Sequence, residues 1–148
     1  MATVTNRSAD EAAVHAVLES MAGAVRAGNV DAMLAQCAED IVTFDLVAPI
    51  KHEGAEAIRP HWLQALAAFE PPIDYDFQQL HIEVDGDVAF ARCLNRFGGT
   101  RHDGAQVVNW MRSTFALRRI QGRWKVVHEH VSVPFDMRTG KALLGLHP

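Results

Sequence analysis

The chain predicts an α+β fold in which a bent antiparallel sheet wraps around helices that come first in the sequence. Apolar residues recur at helical spacing through most of the chain up to Phe69, interrupted by one strand-like run, and from Ile73 onward the period falls to two. The turn dipeptides Asp85-Gly86 and Gln121-Gly122 then divide long alternating runs, which makes them hairpins.

Ser8-Ala9-Asp10-Glu11 has the form of a capping box, and Val14, Val17, Leu18, Met21 and Val25 follow on one helical face until Gly28 offers a stop. Asn29 can cap a short second helix through Asp31-Ala32-Met33-Leu34, whose apolar side continues to Cys37 before Glu39-Asp40 breaks the pattern. Residues 41–47 read as a strand. A third helix is expected over 54–69, with Pro60 in its early turns or at a kink and Pro71-Pro72 as its stop. Strands follow over 73–84 and 87–97, then a loop over 98–106, then strands over 107–119 and 123–134 joined at Gln121-Gly122. Residues 1–148 are expected to form one domain, with 1–7 and 137–148 as tails, the latter able to dock on the body or on a neighbouring subunit.

Composition narrows the function. A hydrophobic share of 49% with 22% charged residues is ordinary for a soluble globular chain. A net charge of -4 supplies no basic field for phosphate backbones, so no nucleic acid partner is expected. The sequence reads as having neither an apolar run of spanning length nor a hydrophobic leader, so no membrane partner is expected and the location is expected to be cytoplasmic. Cys37 and Cys93 are not closely paired and read as reduced core thiols, with a catalytic cysteine as the minor alternative.

The last hairpin carries the chemistry. A tight two-residue turn would set Thr114 opposite Glu129, Arg112 opposite Val131 and Ala116 opposite Val127, so that Trp110, Arg112, Thr114 and Glu129 share one face. The other face would hold Met111, Ser113, Phe115 and Leu117 with Val126, His128, His130 and Ser132. Asp45 interrupts an apolar strand, where burial would raise a carboxyl toward the range of a general base, although a strand-end aspartate facing solvent fits the same residues. Arg112 could hold a substrate carboxylate or enolate with Glu129 orienting it, or the two could simply satisfy one another inside the fold. Thr114 and Asn95 are the neutral polar partners. Trp62, Tyr75 and Trp110 suit either an apolar wall for a ring or acyl chain or plain core, and Trp124 is assigned to core. His128 and His130, two apart on a strand, would need a third ligand such as His52, His61, His81 or His102 to hold zinc or iron, and no metal site is assigned.

Several segments together resemble a known family: GNVDA (28–32), AED (38–40), FDLVAP (44–49), GAEAIR (54–59), LNRFGGTR (94–101) and GRWKVVHEHVSVPFD (122–136). They are similar to the SnoaL-like, ketosteroid-isomerase-related branch of the nuclear transport factor 2-like superfamily. The resemblance implies a cone-shaped, cystatin-like fold and pairing as a homodimer through the outer sheet face, with His128 and His130 packed there beside Phe115 and Leu117. It also implies one of several chemistries, among them isomerases, dehydratases, cyclases, epoxide hydrolases and non-catalytic assembly domains. Asp45 falls where ketosteroid isomerases carry the aspartate that moves a proton. Their oxyanion-holding tyrosine and aspartic acid correspond to Met21 and Thr114, and a thioether donates no hydrogen bond. The expectation is therefore a small-molecule pocket without a cofactor, taking a small hydrophobic or carbonyl-containing ligand. Its catalytic set would be Asp45, Arg112 and Glu129, and its binding set Trp62, Tyr75, Asn95, Trp110 and Thr114. A non-catalytic ligand-binding or assembly module is the alternative.

Overall fold

The computed structural model describes residues 4–148, with side chains from Arg7 onward; residues 1–3 of the expected N-terminal tail lie outside the described residues. Helix α1 (Val4–Arg26) buries Val14, Leu18, Met21, Ala22 and Val25, the stripe expected from a period of 3.6. It begins ahead of Ser8, so the expected capping box is helix interior instead, and Glu11 pairs with Arg7 one turn back at 3.2 Å. Gly28, at φ +68°, closes the helix, where its N–H donates to Val25 O. Asn29 Oδ1 then accepts the N–H of Ala32 at 2.9 Å and caps α2 (Val30–Leu34).

Strand β1 (Cys37–Phe44) starts earlier than expected, and Cys37 is in strand rather than helix. The cause is tertiary: Gln36 O already accepts the N–H of Val126, so the chain is committed to the sheet by that point. After β2 (His52–Glu53) comes α3 (Ala55–Ala67), which contains Pro60. Then follow β3 (Phe69–Asp85), β4 (Val88–Arg101), β5 (Gln106–Ile120) and β6 (Arg123–Ser132). Pro71 and Pro72 do not merely stop the helix. They sit inside β3 in the register gap between Glu70 and Asp74, where no ladder donor is required. Gly98 and Gly99, expected in a loop, are strand: a Cβ on Gly98 would lie 1.9 Å from Val107 O, so β4 and β5 approach there as only glycine permits.

The six strands form one sheet in the order β2-β1-β6-β5-β4-β3. All neighbours are antiparallel except β1 and β6, which run parallel. The helices cover its inner face, where Tyr75, Ala91, Phe115, Leu117 and Val126 of the sheet share one core cluster with Val14, Leu18, Met21 and Val25 of α1, and Phe77 packs against it. At one end Arg119 fastens α1 to the β3–β4 turn through Asp10 and Asp87, both at 2.9 Å, while its guanidinium stacks over Trp124. Trp124 is core, as expected. No described helix is long and apolar enough to cross a membrane.

The β5–β6 hairpin holds the decisive departure. Gln121 and Gly122 both have positive φ, as a tight two-residue turn needs, and Ile120–Arg123 through Leu117–Val126 pair as expected. Beyond that point Val127 is an extra residue, and Ala116 faces His128, Phe115 faces Glu129, Thr114 faces His130 and Arg112 faces Ser132. A one-residue slip exchanges the faces. Glu129 therefore joins Ser113, Phe115 and Val131 on the inner face, while Arg112, Thr114, His128 and His130 are on the outer one, away from Phe115 and Leu117.

Candidate functional site

Between the inner sheet face and α3 lies a cavity of about 380 Å³. Its floor comes from Tyr75 on β3, Asn95 and Phe97 on β4, Met111 on β5 and Glu129 on β6. His61 and Trp62 of α3 form one wall, Asp45, Leu46 and Val47 another, and Leu144 of the C-terminal tail a third. The tail reaches this position because β6 ends at Ser132 and leaves β5 short of a partner; Leu144 O then accepts the N–H of Trp110 at 3.0 Å. It docks on the body of its own chain.

Glu129 is 7% exposed, and no described residue hydrogen-bonds its carboxyl. Burial, aided by the charge of Asp45, pushes that carboxyl up from 4.5 to about 8, so it is uncharged at neutral pH. Asp45 sits just past the end of β1, half-buried at the cavity edge, with Oδ1 accepting the N–H of Leu46 at 2.6 Å. The expected effect of burial on a carboxyl thus falls on Glu129. Tyr75 is buried and its phenol is raised well above its ordinary value by burial and then by Glu129; its OH accepts Asn95 Nδ2 at 3.0 Å. Asn95 Oδ1 is buried without a partner. Trp62, Tyr75 and Phe97 meet edge to face at 5.9–6.2 Å between Trp62 or Tyr75 and its neighbours.

Of the expected site residues, Asp45, Glu129, Trp62, Tyr75 and Asn95 line this cavity. Arg112, Thr114 and Trp110 do not. Arg112 is exposed on the outer face and donates to Ser132 Oγ at 3.1 Å, so the Arg112–Glu129 pair does not exist. Thr114 is exposed beside His130, and Trp110 lies on the same outer side; the slip at Val127 accounts for Thr114 and Arg112. The residue at the other oxyanion position, Met21, is core. His61, considered only as a third metal ligand, lines the cavity, as do Phe97, Met111 and Leu144. Met111, expected on the face opposite Glu129, lines the cavity with it because the slip at Val127 exchanges the faces.

Phe44 meets the rings of His128 and His130 edge-on at 4.7 and 5.4 Å, and His128 Nδ1 bonds Val42 O. Among the described residues no three His, Cys, Asp or Glu side chains gather as a metal site. Cys37 and Cys93 are free and buried, and burial pushes both thiols up to about 12, which removes the thiolate that cysteine catalysis needs.

The SnoaL-like domain model matches residues 14–136, most of the chain. The chain belongs to the SnoaL-like domain family. Its structure is similar to an NTF2-like protein of unknown function from Pseudomonas putida KT2440, at 36% identity and a TM-score of 0.85 over 95% of this chain and 98% of that one. The SnoaL-like fold also superposes on a ketosteroid isomerase-like protein from Erwinia carotovora atroseptica SCRI1043 (18% identity, TM-score 0.69, 83% of this chain and 95% of that one). A third similar structure is the association domain of C. elegans CaMKII (17% identity, TM-score 0.71, 85% and 97%). These two likenesses show the fold alone. No curated protein matches the sequence.

Proposed function

We propose that this SnoaL-like protein binds an uncharged, largely apolar small molecule in the cavity and moves a proton on it without a cofactor. Asp45 is the base. Glu129, rather than Arg112, is the group that meets the carbonyl oxygen. The supporting observation is a buried, uncharged Glu129 on the floor of an apolar cavity whose edge carries Asp45. Removing a proton next to a carbonyl drives negative charge onto the oxygen, and a neutral carboxylic acid donates a hydrogen bond that strengthens as this charge grows. Two acids and no lining lysine or arginine among the described residues disfavour an anionic substrate. Isomerisation, dehydration and cyclisation of a carbonyl compound all contain this step.

The test follows α-proton loss from neutral cyclic ketones in D2O by proton NMR. Exchange above buffer in the wild-type protein, falling about 100-fold or more in D45N, is expected for a lost general base. Equal exchange in the two proteins refutes the base assignment. Binding of the ketones with no exchange favours a ligand-binding module.

The outer sheet face supports a second reading, self-association. Phe44, Val88 and Phe90 expose 39%, 54% and 47% of their surface there. A homodimer through this face would cover them, and sedimentation showing a monomer at micromolar concentration refutes it.

A further inference from the structure

The proton transfer proposed above uses Asp45 and Glu129 and leaves a third proton-carrying side chain on the cavity wall. His61 of α3 lines the cavity with those two acids. Its ring stands edge to face against His52 of β2, with centroids 4.5 Å apart. His52 is 4% exposed, and its Nε2 is buried with no hydrogen-bond partner. Thr43, the cross-strand neighbour of His52, also buries an unpartnered Oγ1, and Thr43 is paired on its other side with Glu129. Residues directly opposite on adjacent strands share a sheet face. Glu129, Thr43 and His52 therefore form a row of buried polar side chains running from the cavity floor to the ring of His61. Thr43 Oγ1 and His52 Nε2 have no protein partner in this row, and a buried polar group left so costs about 1–3 kcal/mol.

An isomerisation moves one proton between two carbons and needs one base and one donor at the oxygen. Asp45 and Glu129 already supply both. Elimination of water from a β-hydroxy carbonyl compound also needs an acid for the departing hydroxyl, and a group separate from Asp45 delivers that proton while Asp45 still holds the α-proton. We propose that His61 is that acid, that His52 is the positioning residue behind its ring, and that the substrate class is an uncharged β-hydroxy ketone or aldehyde. The inference rests on the proton-transfer reading of the same cavity.

The step balances without an oxidant or reductant. Asp45 takes the α-proton, and the C–H electron pair forms the enolate, whose oxygen accepts the O–H of Glu129. The enolate collapses to a carbon–carbon double bond as the β C–O bond breaks. The departing oxygen keeps that electron pair, takes a proton from a ring N–H of protonated His61 and leaves as water. Asp45 is left protonated and His61 neutral, and return of one proton from Asp45 to His61 through solvent restores both.

The experiment incubates the protein with a β-hydroxycyclohexanone in D2O and reads two signals in one NMR series, loss of α-protons and appearance of the enone vinyl protons. Wild-type protein should give both. In H61Q, enone formation should fall about 100-fold or more, well beyond any loss of α-proton exchange. Imidazole added to H61A should recover part of the enone formation, and H52A should lower kcat for elimination with KM unchanged. Wild-type exchange without enone overturns the dehydration and leaves the proton-transfer reading standing. Neither signal in the wild-type protein overturns both. Enone formation in H61Q equal to wild type, or both signals falling together in H61Q with no rescue of H61A, overturns the assignment of His61.

Discussion

Replacing Glu129 with glutamine should stabilise the protein increasingly as pH rises, because the native fold pays for an ionisable group it must keep uncharged. Folded, this carboxyl titrates near 8; unfolded, near 4.5. Below 4.5 it is protonated in both states and contributes no pH dependence. Between the two values the unfolded chain has released a proton that the folded chain retains, so stability falls by about 1.4 kcal/mol for each pH unit. Above 8 the native state must ionise too, the slope from this group vanishes, and a total penalty of up to about 5 kcal/mol remains. That is an upper limit, since an ionised Glu129 would draw water into the adjoining cavity and lower its own cost. Glutamine has nearly the same shape and no charge to lose. The assay is urea unfolding of both proteins between about pH 5 and pH 8.5, followed by tryptophan fluorescence. The stability difference, E129Q minus wild type, should grow by several kcal/mol across this range. A difference that stays constant, or shrinks as pH rises, would show that Glu129 is ionised in the native fold and would remove the neutral donor from the proposed site.

Two further substitutions test the register of the last hairpin and the packing behind it. R112A should leave ligand binding and α-proton exchange unchanged and shift stability by no more than about 0.5 kcal/mol, because Arg112 is exposed and gives up one bond to Ser132; a loss of exchange would put Arg112 back in the site. G98A should destabilise by about 2–3 kcal/mol in denaturant melts, since the new Cβ would collide with Val107 O and force β4 and β5 apart; an unchanged midpoint would mean that the strands separate there at little cost.

The helices and hairpins were legible because their signals are local. The stripe of α1, the cap of Asn29 and the two positive-φ residues at Gln121-Gly122 each depend on a few neighbouring positions. Boundaries failed where a distant partner decided them. Cys37 looks helical until β6 offers Val126 as a ladder partner, and Gly98 looks like a loop until β5 crosses it too closely for any side chain. Pro71 and Pro72 look like a terminator, yet a gap in the β3–β4 register lets the strand run through them.

The site was half legible, and one residue explains which half. Turn chemistry correctly sets the pairing for the first steps of the β5–β6 hairpin, and counting onward without interruption carries Arg112 and Thr114 to the same face as Glu129. The bulge at Val127 breaks that count. Its trace in the sequence is the adjacent pair Val126-Val127: inward apolar positions run Trp124, Val126 and then Val131, a change of phase that strict alternation cannot produce. With the phase corrected, Glu129 points at the core and loses the arginine that would have kept it charged, so desolvation governs its proton instead. The same one-residue insertion thus removes a cation from the cavity and turns its second acid into a hydrogen-bond donor, and the proposed chemistry changes from holding an anion to polarising a neutral carbonyl.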